Sequence, residues 1–577
     1  MAAPLRCLTE TGMAFMPRPH ELSKESLISS LLALLSALLI ALPIAIFLIA
    51  VLAYNMLASV SFYAWKELFQ APHLGNAIGM TLWTGLASTL LAWGLTAWLI
   101  SQAFGKPWWA ELVRRLGFLL AVPHAAFAVG MVFLIAPSGW ILRAISPWLT
   151  GFDQPPQIAS SQDAYGLGLI AMLVFKEIPF LLWAAATQLQ RDDIGARWLR
   201  ESQAAQTLGY SSKLAFWRIV WPQLKIRLLW PLLAVLAYGL TVVDAALIAG
   251  PSNPATLSVR AWQWLQDSEA STNAVGAAAG WLLTVIVGLC AGLIRLWMHR
   301  KYNLTSALTN AFIAGKRGKE ATHQQFSSGQ VFWLVFLLGY VAVLAALSVG
   351  SVSGVWPFPQ FMPSNFSSEA WISVSNSSKS VVMTLALALS SAGIGLVWAV
   401  AWLETAPASW DSALRKLLYL PLLLPGVLWV VGLHRLALDL QLTGSFIGVL
   451  LTHVVAAIPY SLIALSPAYL GFDTRYAHIC ATLGKSRWQY LLRVKWPLLR
   501  QSLLATFAVG FAVSVAQFLP TLYVGEGQIV TVTTEAVTLS SGGQRSLVAA
   551  FAWLQWLLPA IVFALAAWLG RPRRFIK

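Results

Sequence analysis

The sequence predicts an all-α polytopic membrane protein, with about twelve transmembrane helices in two parallel six-helix repeats. Three observations predict it. The 577 residues are 58% hydrophobic and only 10% charged, with a mean hydropathy of +0.70; soluble domains carry about 25% charged residues. Apolar runs long enough to cross a bilayer recur along the whole chain. One basic segment occurs twice at a constant offset. This composition excludes a water-soluble enzyme, a disordered chain and a disulfide scaffold. The three cysteines, Cys7, Cys290 and Cys480, are far apart and show no disulfide or metal spacing.

The predicted spans of the first half lie at about 27–54, 76–103, 114–138, 165–188, 227–250 and 274–298. Those of the second half lie at about 329–350, 379–403, 414–437, 443–468, 500–524 and 546–569. In hydrocarbon every backbone polar group needs an internal partner, so runs of this length are helices. The first run is longer than a signal-peptide core and no cleavage site is evident, so it reads as a retained span. The domain expectation is a cytoplasmic leader over 1–26, a first repeat over 27–300, a basic linker over 301–328 and a second repeat over 329–577.

Charge orients the chain. With the N-terminus inside, the inner segments hold 31 of the 38 Lys and Arg and 11 acids. The outer loops hold six basic and nine acidic residues. Lys and Arg favour the cytoplasmic side, so both termini are expected in the cytoplasm. The net charge of +16 is therefore mostly topology, and nucleic acid is not an expected partner. Lipid is, with the 29 Trp suited to interfacial belts.

The repeat is the most informative feature. Residues 201–224, ESQAAQTLGYSSKLAFWRIVWPQL, align without gaps to 476–499, YAHICATLGKSRWQYLLRVKWPLL, at an offset of 275. From Thr207 to Leu224 eight of 18 positions are identical, including Gly209/Gly484, Trp221/Trp496 and Pro222/Pro497. Ile178-Pro179-Phe180 matches Ile458-Pro459-Tyr460, and Pro123 and Gly130 match Pro425 and Gly432 at the same spacing. Six spans per half make the repeat parallel, about an axis along the membrane normal. Each copy reads as a short helix ending near its glycine, then a second helical stretch, with Pro222 near the first turn of the fifth span. Ala204 and Ala205 suit close approach by another protein; Phe216, Trp217 and Trp221 suit membrane anchoring.

These loops resemble the EAA motif of ABC-importer permeases, E-A-A-x-x-x-G-x(9)-I-x-L-P. Ala204, Ala205, Gly209, Ile219 and Pro222 fit it in the first copy, and Gly484, Val494 and Pro497 in the second. The acidic position departs from the motif: Gln203 stands there, with Glu201 two residues earlier, and the second copy has His478-Ile479-Cys480 in place of E-A-A. A fused pair of such halves resembles the thiamine and ferric-iron importer permeases. The resemblance implies a type I importer permease fold in a bacterial inner membrane. It implies a separate ATPase dimer on the two loops, a periplasmic binding protein on the outer face, no ATP hydrolysis in this chain and no cofactor. It specifies mechanism rather than substrate. The alternative from another class is a major-facilitator secondary transporter, which shares twelve helices in parallel halves. Its charged loop between the second and third spans has no counterpart in Ser101–Arg115.

Lys176, Glu177 and Asp244 lie inside predicted spans, where ionisable groups are costly and usually face the bundle interior or a water-filled path. They read either as a polar patch lining the translocation path or as a structural Lys176–Asp244 pair. The Gly484-Lys485-Ser486 tripeptide imitates a nucleotide-binding loop, but no strand precedes it and the first glycine is Ile479. No metal or nucleophile constellation is present in the sequence.

Overall fold

The computed structural model describes residues 24–59, 61–158, 160–191, 194–312 and 328–571, with side chains outside 24–34, 299–312, 408, 409, 412 and 423. The expected leader 1–26 lies almost wholly outside them, as does 313–327 of the expected linker. The elements that position the functional parts are α1 (Lys24–Ser59), α2 (Leu74–Ala103), α3 (His124–Ile135), α4 (Leu167–Leu189), α5 (Gly195–Thr207), α6 (Leu229–Thr241) and α7 (Ala270–Phe312). The second half supplies α8 (Ser328–Ser351), α9 (Ser378–Thr405), α10 (Gly426–Asp439), α11 (Phe446–Leu470), α12 (Arg475–Thr482), α13 (Arg500–Val515) and α14 (Arg545–Gly570). Nine helices among the described residues are long and apolar enough to cross a membrane, and three bent pairs bring the number to twelve, in the predicted order. The described residues form no strand, so the all-α reading stands.

Four spans depart from simple rods. Proline lacks a backbone N–H and fixes φ, and both paired prolines break their helix. Pro123 is extended (ψ 153°), so the third span begins at His124, not at 114, and Trp108–Leu120 is a separate amphipathic helix. Pro425 is likewise extended (ψ 133°), and Ala413–Leu422 meets α10 at 104°. The fifth and eleventh spans bend by 62° before α6 and 75° before α13. Both also stop short of their predicted ends, at Thr241 and Val515, and continue as the short helices Asp244–Ala249 and Leu519–Gly525.

The repeat holds in fine detail. Phe216–Val220 and Leu491–Lys495, 275 residues apart, are both π-helical turns. The hydroxyl of Thr81 in α2 accepts from the backbone N–H of Leu257 at 2.8 Å, and that of Thr384 in α9 accepts from Val532 at 2.9 Å. Leu257 and Val532 are again 275 apart and begin matching helices.

The two halves exchange their first helices. α1 packs on α10 and α9, and α8 packs on α3 and α14. Accordingly, one core joins Trp333, Phe336, Tyr340 and Leu347 of α8 to the first half, and the other joins Ala37, Ile44, Leu48 and Val51 of α1 to the second. The paired glycines mark both crossings. A side chain on Gly130 would meet Val343 Cγ1 at 2.6 Å and its carbonyl at 2.9 Å; one on Gly432 would strike the Val51 carbonyl and Asn55. Without a hydrophobic drive between helices in lipid, such small residues permit the contact that packing requires.

Candidate functional site

Both repeated loops turn the same way. In the first, Tyr210 N–H donates to Ala205 O (3.1 Å) and Gly209 N–H to Gln206 O (2.9 Å). In the second, Lys485 N–H donates to Cys480 O (2.9 Å) and Gly484 N–H to Ala481 O (3.0 Å). These are paired Schellman closures, with Gly209 at φ +88° and Gly484 at φ +66°, the left-handed region that favours glycine. Ser211 and Ser486 then cap the next helical turn, accepting from Leu214 N–H and Gln489 N–H at 3.3 Å each. Leu208 and Leu483, just before the glycines, are 67% and 66% exposed, leaving matched apolar tips toward the solvent.

The loops differ beneath this common turn. In α5, Ala204 is exposed whereas Ala205 is buried, so only the first alanine is open to a partner. Glu201 pairs with Arg197 (2.7 Å) and accepts from Gln223 (3.4 Å), whose amide also donates to Ile219 O (2.8 Å). Pro222 sits in the first turn of Trp221–Arg227, the short helix before the bend, not in the first turn of the membrane-crossing α6. The aromatics pack inward more than expected: Phe216 is buried, and the Trp221 ring lies tilted against Trp93 of α2 at 4.9 Å. Trp217 stays exposed. In the second copy α12 buries none of its residues; Cys480 and Val494 are half-buried and Pro497 is exposed.

A second polar cluster lies between the halves. The expected Lys176–Asp244 pair does not form. Lys176 is buried in α4, and its ammonium donates to the carbonyls of Val122 (2.5 Å) and Leu119 (3.3 Å), freed where the chain breaks before Pro123. It closes the C-terminus of Trp108–Leu120, where a cation is favoured. Glu177, one residue on, points about 100° away and meets His124 Nε2 at 3.4 Å. The His124 ring lies tilted against Tyr238 at 4.5 Å, and Tyr238 lies within electrostatic reach of Asp244, Glu177 and Tyr460 of the second half. Asp244 begins its short helix, beside the second break. The sequence reading missed His124, Tyr238 and Tyr460; His124 and Tyr460 were signalled only by their place beside Pro123 and Pro459, and Tyr238 by nothing local.

Sequence reading also missed Glu404, at the end of α9. Its carboxylate accepts from Tyr469 (2.7 Å) and Arg487 (3.0 Å) and forms a short ion pair with Lys495. No local pattern announces it, since these partners lie 65 to 91 residues along the chain.

No family model matches the chain. It is 34% identical over 528 residues to the inner membrane ABC transporter permease protein YnjC of Escherichia coli (strain K12), covering 90% of this chain and 93% of that protein. It is 23% identical over 477 residues to the thiamine transport system permease protein ThiP of Haemophilus influenzae, covering 79% and 81%. A probable molybdenum ABC transporter permease of Haloferax volcanii matches 33% of this chain at 26% identity. These relatives set the major-facilitator alternative aside. With twelve ordered spans, a duplicated loop and this extent of identity, the chain belongs to the ABC transporter permeases and is a permease subunit of an importer in the inner membrane.

Proposed function

We propose that the two repeated loops are the docking elements for a pair of ATPase subunits, and that 27–300 and 329–577 are the two functional repeats they drive. The observation that carries this is the paired glycine turn, which presents two similarly exposed leucine tips. ATP hydrolysis belongs to those separate subunits, and a periplasmic binding protein delivers the solute to the opposite face. Both termini lie in the cytoplasm on this reading, as the charge distribution favours. Closure of the ATPases moves two elements whose positions differ between inward-open and outward-open states. The exchanged α1 and α8 couple the halves, and Glu177 and Asp244 line the path between them while Lys176 secures its wall.

The test is Gly209→Val, Gly484→Val and the double variant, read by ATPase co-purification and by hydrolysis stimulated by the binding protein. Nothing lies within 4 Å of a side chain built on Gly484, so the strain there comes from φ alone. Insertion and abundance should hold, while ATPase attachment or coupling falls in each single variant and further in the double. Gly209→Val should be the more damaging single change, because the first loop keeps more of the motif. Unchanged coupling in a stably inserted double variant would remove the docking role.

A further inference from the structure

The two docking loops are turned alike but fixed to the bundle by different physics. The first is fixed by apolar packing. α5 buries Trp198 and Ala205, Arg227 lies over the Trp198 ring at 5.7 Å, and Val220 and Leu189 share the first-half core with Phe216. The second loop has a thinner bed: neither α12 nor Arg487–Tyr490 buries any residue, and of the π-helical turn only Leu491 is buried. It is tied instead through one carboxylate. Glu404 receives Lys495 from the π-helical turn, Arg487 from the turn after Ser486 and Tyr469 from the end of α11. Arg487 also donates to the Glu404 backbone carbonyl at 2.7 Å. The Lys495 ammonium sits over the Tyr469 ring at 3.9 Å, and the Tyr469 hydroxyl accepts from Trp496 at 3.1 Å.

The matching positions of the first half carry other residue types. At the loop offset of 275, Arg487 and Lys495 correspond to Ser212 and Val220. At the offset of Pro459 from Pro179, Tyr469 corresponds to Leu189; at that of Thr384 from Thr81, Glu404 corresponds to Ser101. Val220, Leu189 and Ser101 are all buried. The four positions that hold a carboxylate, two cations and a phenol in the second half hold two serines, a valine and a leucine in the first.

We propose that Glu404 is a positioning residue that transmits movement of the second docking loop to α9 and α11, so that the importer couples ATP to transport through two unlike joints. This rests on the ATPase-docking reading above. An apolar bed holds one loop as part of the bundle. A three-point polar joint lets the other shift as a lever while keeping its attachment, because long cationic side chains keep their partner through changes of angle that would open a packed contact.

The experiment uses the assembled complex of this chain with its ATPase and binding protein in proteoliposomes. In Glu404→Gln the ATPase should still co-purify through the first loop, while hydrolysis stimulated by the binding protein falls roughly fivefold or more, the scale of ordinary coupling between sites. In a Cys7→Ser/Cys290→Ser background, maleimide labelling of Cys480 should rise in Glu404→Gln; a first-loop reporter, Ala204→Cys with Cys480→Ser, should label as before. Arg487→Gln, at a largely exposed side chain, should move both readouts in the same direction and decides the matter should Glu404→Gln fail to insert. Stimulated hydrolysis and Cys480 labelling at the unsubstituted level would overturn the joint. An unsubstituted chain that captures no ATPase would overturn the docking reading and this one with it; intact coupling with an indifferent Glu404 overturns this one alone.

Discussion

At the scale of single residues, Lys176 shows what a membrane lysine is for when no acid meets it. A broken helix leaves carbonyls without donors, and an ammonium supplies them. Replacing Lys176 with Met strands those carbonyls and should cost about 1–3 kcal/mol, read as a lower midpoint of thermal unfolding in detergent. Because Lys176 and Asp244 are not partners, adding Asp244→Leu should not restore stability; the two effects should add within about 0.5 kcal/mol. Recovery in the double variant would reinstate the pair. The sequence made the cost of these charges legible, but not their partners. Adjacent residues on a helix point about 100° apart, and which neighbour each meets depended on where the chain broke at Pro123.

At the scale of elements, the paired prolines and glycines do opposite work. Pro123 and Pro425 open their helices, whereas Gly130 and Gly432 let another helix close in. The exchanged α8 lies against Gly130, and the exchanged α1 against Gly432. Gly130→Leu and Gly432→Leu should each overpack a crossing and cost about 1–3 kcal/mol or more. Size-exclusion profile and thermal midpoint of the solubilised chain would show it, with Gly94→Leu on α2 as the neutral control, since nothing lies within 4 Å of a side chain there. Equal midpoints for Gly432→Leu and Gly94→Leu would contradict the crossing. The spacing of proline and glycine was visible in both halves of the sequence. Its reason was not, because the helix that each glycine admits comes from the other half.

At the scale of the whole molecule, each half carries the other's first helix, so the halves cannot part as two blocks of contiguous sequence. Orientation is a separate matter, decided by charge. In a background without native cysteines, Asp153→Cys and Ser540→Cys should react with a membrane-impermeant reagent added to intact cells, and Lys316→Cys should not. Lys316 lies outside the described residues, and labelling it from outside would reverse the orientation. The sequence by itself determined the class, the number and order of spans, the duplication and the glycine turns. Each of these follows from local hydropathy or from backbone rules that act within a few residues. Tertiary structure alone decided the exchange of α1 and α8, the carbonyl partners of Lys176, the cluster around Glu177 and the Glu404 joint. Those depend on which distant groups share a buried place, and a polar group in a dry interior takes whichever partner the packing brings to it.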